Sequence, residues 1–175
     1  QTLIIESRFA SNEGIESAVA SGEIDIGFTT ALTKSSELSC EKIGVEALCL
    51  VTPHTTSQLS WHALLELGFI NHPDGHHHAN VLLGNNFSDY QGFQTLPISG
   101  FSNQISLILT PVSMGLGFTV LPINAVNAFP HQHKIKIWEM THAAEENVYL
   151  VKRARYDYPK RVDTVIQCCH SVINK

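Results

Sequence analysis

The chain has 175 residues, of which 43% are hydrophobic and 15% charged. That length holds one domain or two small lobes, and the composition excludes a disordered chain or a coiled coil. With 11 Lys plus Arg against 16 Asp plus Glu and no basic run, it lacks the cationic surface that neutralises phosphates, so these residues are not expected to bind DNA.

No apolar stretch approaches the ~20 residues a membrane helix needs, and the N-terminus shows no signal-peptide pattern. Gln1 is not an initiator and Thr2–Ile5 already reads as a strand, so the chain is read as starting inside a fold. The cysteines are Cys40, Cys49, Cys168 and Cys169. Two are adjacent and Cys49 sits in an apolar strand, which is not a disulfide framework. A reducing, cytoplasmic location is expected.

Thr2–Glu6 is an apolar run expected to be a buried strand. Ser11 or Asn12 can cap a short helix whose stripe is Ile15, Ala18 and Val19, with Gly22 as its C-terminal cap. Glu23–Phe28 alternates as a strand does. Strand, helix and strand in that order predict a parallel pair with a right-handed crossover.

Ala47–Thr52 is another apolar strand, stopped by Pro53. Ser60 can cap a helix over Trp61–Leu67. Gly68-Phe69-Ile70 is a brief buried strand opening into the loop Asn71-His72-Pro73-Asp74-Gly75, and a helix follows over His77–Leu83. Leu96–Ser99 is a strand leading into a helix with Ile105, Ile108, Leu109 and Val112 on its buried face and Pro111 inside it. Gly115 and Gly117 end that helix. Phe118–Leu121 is a strand, and Pro122 starts a short helix. Ile135 and Ile137 alternate in a strand, Val148–Lys152 forms another, and a helix over Pro159–Asn174 closes the chain. The pattern is α/β.

Ligands of open α/β sheets bind beyond the carboxyl ends of the strands. That rule marks Thr29-Thr30, Asn71-His72 and Gly100-Phe101-Ser102-Asn103, all rich in short polar side chains.

The spacing of four segments resembles one family. Ala20–Phe28 resembles the G-E-L-D-hydrophobic strand of LysR-type effector-binding domains, and Met114–Pro122 resembles their G-hydrophobic-G turn ending in Leu-Pro. Leu48–His54 resembles the family's strand that crosses between lobes, and Gly68–Ile70 the strand after it. The resemblance covers nearly the whole chain. It implies two Rossmann-like lobes of the type II periplasmic-binding-protein kind, with an effector between them. Lobe I would be 1–50 plus 150–175, and lobe II 51–149. The family's winged helix-turn-helix, and the first strand and helix of its sensing domain, have no counterpart here. The resemblance therefore implies a ligand-sensing domain of a transcriptional regulator that self-associates as dimer or tetramer. DNA would be bound only through an N-terminal winged helix-turn-helix. Ile15 and Val19 are the candidate for one side of the subunit contact.

The expected effector-binding residues are Thr29, Thr30, Asn71, His72, Phe101, Ser102, Asn103 and Phe118. The polar ones would orient the ligand and the two Phe would cover its apolar surface. Ser102 is also read as a helix N-cap whose neighbouring N–H groups can meet an acceptor, and Thr29 and Thr30 can be plain strand-end residues. Arg8 could pair an anion but reads better as a surface residue. With few cations near these positions, a neutral or singly charged ligand is favoured over a dicarboxylate.

His72, Asp74, His76, His77 and His78 supply metal-ligand chemistry. Three consecutive His cannot all face one ion from a regular element, so a solvated loop and helix start is the expectation, with no metal and no cofactor. No Gly-x-Ser-x-Gly elbow is present, and Gly115-x-Gly117 follows a helix and precedes a strand, the reverse of a dinucleotide fingerprint. The chain is not expected to be an enzyme. A periplasmic solute-binding protein, and further behind a His-cluster metal-dependent enzyme, are the rival readings.

Overall fold

A computed structural model describes residues 3–173. The chain divides into two compact units, residues 1–45 with 146–175, and residues 46–145.

In the first unit, helix α1 spans Asn12–Ser21 because both ends are capped from sequence. Ser11 accepts from the Gly14 N–H, and Gly22 takes a left-handed conformation, φ 77°, so that its N–H returns to the last carbonyls. The cap uses more chain than expected. Glu23 and Ile24 both donate to Ala18 O, so strand β1 is Ile26–Thr29 rather than Glu23–Phe28. β1 pairs antiparallel with β7, Ala144–Arg153, in the register Phe28↔Leu150.

That pairing corrects the predicted parallel crossover. Thr2 lies outside the described residues, and Leu3–Glu6 form no strand. Ile4 is 83% and Ile5 65% exposed. An apolar run becomes a strand only where a neighbour completes its ladder, and no described strand takes that position. Val19 is fully buried with Leu38 and Val151, and Ile15 packs on them. Val19 is thus a core residue, and Ile15 is half-buried beside it. Helix α6, Lys160–Ile173, closes this unit with Val162 buried.

β2 runs for 16 residues, Leu38–Pro53, and passes from the first unit into the second. Its first half is half-exposed and carries Glu41, Lys42 and Gly44, which hid it from the hydrophobic pattern. Its second half is apolar because both edges are occupied. Leu48–Val51 pair with β5, Thr119–Pro122, and Leu50–Pro53 with β6, Ile135–Trp138, all antiparallel.

The second unit then places short helices and strands around that ladder. Ser60 caps α2, Trp61–Leu67, by accepting from Ala63 N. β3, Phe69–Asn71, pairs in parallel with β4, Ile98–Phe101. β4 starts two residues later than predicted, because Pro97 has no N–H to offer a ladder. Its carbonyl instead accepts from Phe69 N. α3 is longer than its apolar stripe suggests, Gly75–Asn86. α4 is Ile105–Ser113 with Pro111 inside. Its buried face is Ile108, Leu109 and Val112, whereas Ile105 is 49% exposed. α5, Ile123–Asn127, follows Pro122.

The core of this unit is continuous from Leu48, Leu50, Leu64 and Phe69 to Leu82, Phe118 and Val120. A second cluster under α4 joins Val51, Ile70, Leu109 and Leu121. No helix among the described residues is long and apolar enough to cross a membrane.

Candidate functional site

The polar groups that converge at strand ends lie in the second unit, after β3 and β4. Because these strands are parallel, their carboxyl ends finish side by side, with Asn71 paired to Phe101. The next residue of one strand is tied to the other, since Ser102 N–H donates to Asn71 O at 3.0 Å. Asn71, Phe101, Ser102 and Asn103 therefore form one surface. Asn71 and Ser102 are half-buried, and Phe101 and Asn103 are exposed. Phe101, 63% exposed, is the apolar element of that surface.

Asn71 is held by its neighbour. Its Oδ1 accepts from the His72 N–H at 2.8 Å, which assigns the oxygen and leaves the Nδ2 donors outside that bond. Ser102 is not the helix cap. α4 begins at Ile105 with Gln104 at the cap position. Ser102 Oγ instead accepts from Gln104 N and donates to Gln104 O, both at 3.2 Å, closing a hydroxyl turn before the helix.

Two other expected residues sit beneath that surface. His72 is 4% exposed and its Nε2 lies 2.9 Å from Val120 O. Phe118 is fully buried, with its ring centroid 5.3 Å from that of Phe69. Phe118 is therefore a core aromatic and covers no exposed surface.

In the first unit, Thr29 is 2% exposed and its hydroxyl donates to Ala31 O at 2.9 Å. Thr30 is half-buried and locked to α1, its N–H donating to Asn12 Oδ1 and its Oγ1 accepting from Asn12 Nδ2, each at 3.1 Å. The Arg8 guanidinium pairs with the Glu23 carboxylate. A cavity of about 450 Å³ lies within this unit, lined by Leu3, Ile5, Phe28, Cys168, Val172 and Ile173 among others. Apart from the two thiols Cys168 and Cys169 and Thr164, whose hydroxyl donates to Lys160 O, its walls are aliphatic or aromatic, so it does not share the chemistry of the β3–β4 ends.

The His cluster divides in two. His76 and His77 are exposed on the first turn of α3, as a solvated helix start would have them. His72 and His78 are buried, contrary to that expectation, with ring centroids 5.2 Å apart. No group of three or more His, Cys, Asp or Glu among the described residues could hold a metal ion.

Tyr90 OH donates to Asn80 Oδ1 at 2.6 Å, and burial pushes its phenol up to about 12. Burial, with the nearby Glu46 carboxylate, raises the Cys49 thiol above its ordinary value.

Sequence reasoning passed over Gly75. A Cβ there would stand 2.4 Å from Asn71 Oδ1, so any larger residue at this position would displace the Asn71 carboxamide. The Asp74-Gly75 pair straight after a strand was the available signal.

Residues 4–174 match the LysR substrate binding domain. A putative LysR family transcriptional regulator from Pseudomonas aeruginosa superposes with a TM-score of 0.71 at 16% identity, over 96% of this chain and 59% of that one. The regulatory domain of OxyR2 from Vibrio vulnificus, a C206S mutant, gives 0.71 at 16% identity, over 94% and 78%. Full-length CbnR in complex with its target DNA gives 0.68 at 14% identity, over 89% and 54%. The chain thus spans less than two thirds of the regulator from P. aeruginosa. Among curated proteins no sequence match is found.

Proposed function

Because the chain belongs to the LysR substrate binding domain family, we propose that it is the small-molecule-sensing part of a transcriptional regulator and has no catalytic role. The observation that carries the placement of its effector is the shared surface at the ends of β3 and β4, where Asn71, Phe101, Ser102 and Asn103 meet. Amide donors and an exposed aromatic ring suit a small ligand with oxygen acceptors and an apolar body, while the Ser102 hydroxyl, which donates to Gln104 O, keeps only acceptor capacity. The surface carries no Lys or Arg of its own, which favours a neutral or singly charged ligand.

Thr29 and Thr30 belong to this proposal only through rearrangement, since both hydroxyls are already bonded within the first unit. His72 and Phe118 act from beneath. The two compact units are read as the family's two lobes. An effector can act only by binding one state of the protein better than another. Self-association, a cytoplasmic location and DNA binding through a separate winged helix-turn-helix complete the proposal. The acidic balance of this chain gives it no phosphate-neutralising surface of its own.

The test is a thermal-shift screen of neutral and singly charged metabolites. A ligand present at 100 times its Kd stabilises by ~2.7 kcal/mol. A hit should raise the melting temperature of the wild type, and Asn71→Ala should weaken its binding several-fold, the cost of one neutral hydrogen bond, ~0.5–1.5 kcal/mol. A hit bound equally well by Asn71→Ala and Ser102→Ala would move the site elsewhere.

A further inference from the structure

We infer that His72 is a positioning residue for the effector surface, a buried strut that sets the orientation of the Asn71 carboxamide from β5. The inference rests on the proposal above only in taking Asn71 as a ligand contact.

The chain must turn sharply after β3, and the His72 side chain fixes how. Its imidazole turns inward, 4% exposed, and Nε2 lies 2.9 Å from the carbonyl of Val120, itself fully buried in β5. A carbonyl has no proton to give, so Nε2 carries the hydrogen and donates it. The strut is therefore a polar bond inside the core, directional and costly to leave unmade. The second buried imidazole, His78, packs 5.2 Å away from α3 and limits the ring's freedom.

At its other end the strut sets the backbone. The His72 N–H donates to Asn71 Oδ1 at 2.8 Å, and His72 O accepts from Gly75 N at 2.9 Å. One residue thus anchors the side chain before it and the helix start after it. With Oδ1 engaged, the Nδ2 donors of Asn71 have a fixed direction, which selects ligands presenting an oxygen acceptor. Gly75 makes the arrangement possible, because any Cβ there would displace Asn71 Oδ1.

The experiment needs no effector. Uniformly 15N-labelled chain gives an Asn71 side-chain NH2 pair, assigned by its loss in Asn71→Asp, and a long-range imidazole spectrum that reports the tautomer of His72. The expected results are an Nε2–H tautomer, collapse of the Asn71 pair to the position of freely rotating Asn amides in His72→Phe, and its recovery in His72→Gln, whose amide can donate to Val120 O. Gly75→Ala should shift the same pair with the His72 tautomer retained. If His72→Phe stays folded with the Asn71 pair unmoved, His72 is only a core imidazole and the inference is overturned. If His72→Phe does not fold, the wild type decides, and an Nδ1–H tautomer of His72 or an Asn71 pair already at the position of freely rotating Asn amides overturns it equally. Failure of Asn71→Ala to weaken a ligand, with these signals behaving as expected, would count against the effector reading and leave the strut in place.

Discussion

Phe118 separates core from ligand surface more sharply than any other position. It is fully buried, stacked edge-on against Phe69 at 5.3 Å and 72°, and clustered with Leu48, Leu50 and Leu82. Phe118→Ala removes a whole ring from a site whose walls are backbone-anchored strands, so the space cannot close fully. Such changes cost ~3–5 kcal/mol, part of it an aromatic pair contribution of ~0.5–1.5 kcal/mol. For a unit of residues 46–145, each kcal/mol moves the midpoint by ~4–8 °C. The melting temperature followed by circular dichroism should therefore fall by ~12 °C or more, against a total stability of only ~5–15 kcal/mol. A loss under ~0.5 kcal/mol, the range of surface substitutions, would refute the burial argument and return Phe118 to the ligand surface.

Other expectations are smaller or of another kind. Ser60→Ala removes the hydroxyl that accepts from Ala63 N and should cost ~1 kcal/mol, read as a lower denaturant midpoint at unchanged slope. The Tyr90 phenol is raised by burial to about 12, so its folding contribution is complete below the ordinary value near 10 and is lost as pH climbs from there through about 12. Absorbance titration at alkaline pH should show a late tyrosinate component that Tyr90→Phe lacks. An identical curve in that variant would contradict the assignment. The chain alone should retard a promoter fragment no better than unrelated DNA of equal length, and tight sequence-specific retardation would overturn the reading of its charge balance.

Much of the fold was legible because it is encoded locally. Ser11, Gly22 and Ser60 cap helices within four residues of themselves, and Pro53 and Pro122 mark strand ends by what their rings forbid. What escaped depends on partners distant in sequence. The direction of β1 is set by β7, more than a hundred residues away, and Leu3–Glu6 looked like a strand because apolarity reports burial without reporting a ladder neighbour. The proposed site follows from a rule about strand ends, which marks Asn71 and Phe101. It was not legible as side-chain direction, since neighbouring residues turn opposite ways. That alternation turns His72 inside while Asn71 stays half-buried, whereas Phe118 is buried because the β5 segment it leads into is covered on both faces. Ser102 misled for a related reason, because a hydroxyl two residues before Gln104 forms a turn that looks like a cap in sequence.

The most direct test of the account is an amide shift map, recorded as a stabilising metabolite is titrated into 15N-labelled protein. The largest changes are expected at Asn71, Phe101, Ser102 and Asn103, with the Asn71 side-chain NH2 pair among them. Changes confined to Phe28, Cys168 and Val172 around the apolar cavity of the first unit, with the β3 and β4 ends unmoved, would contradict it.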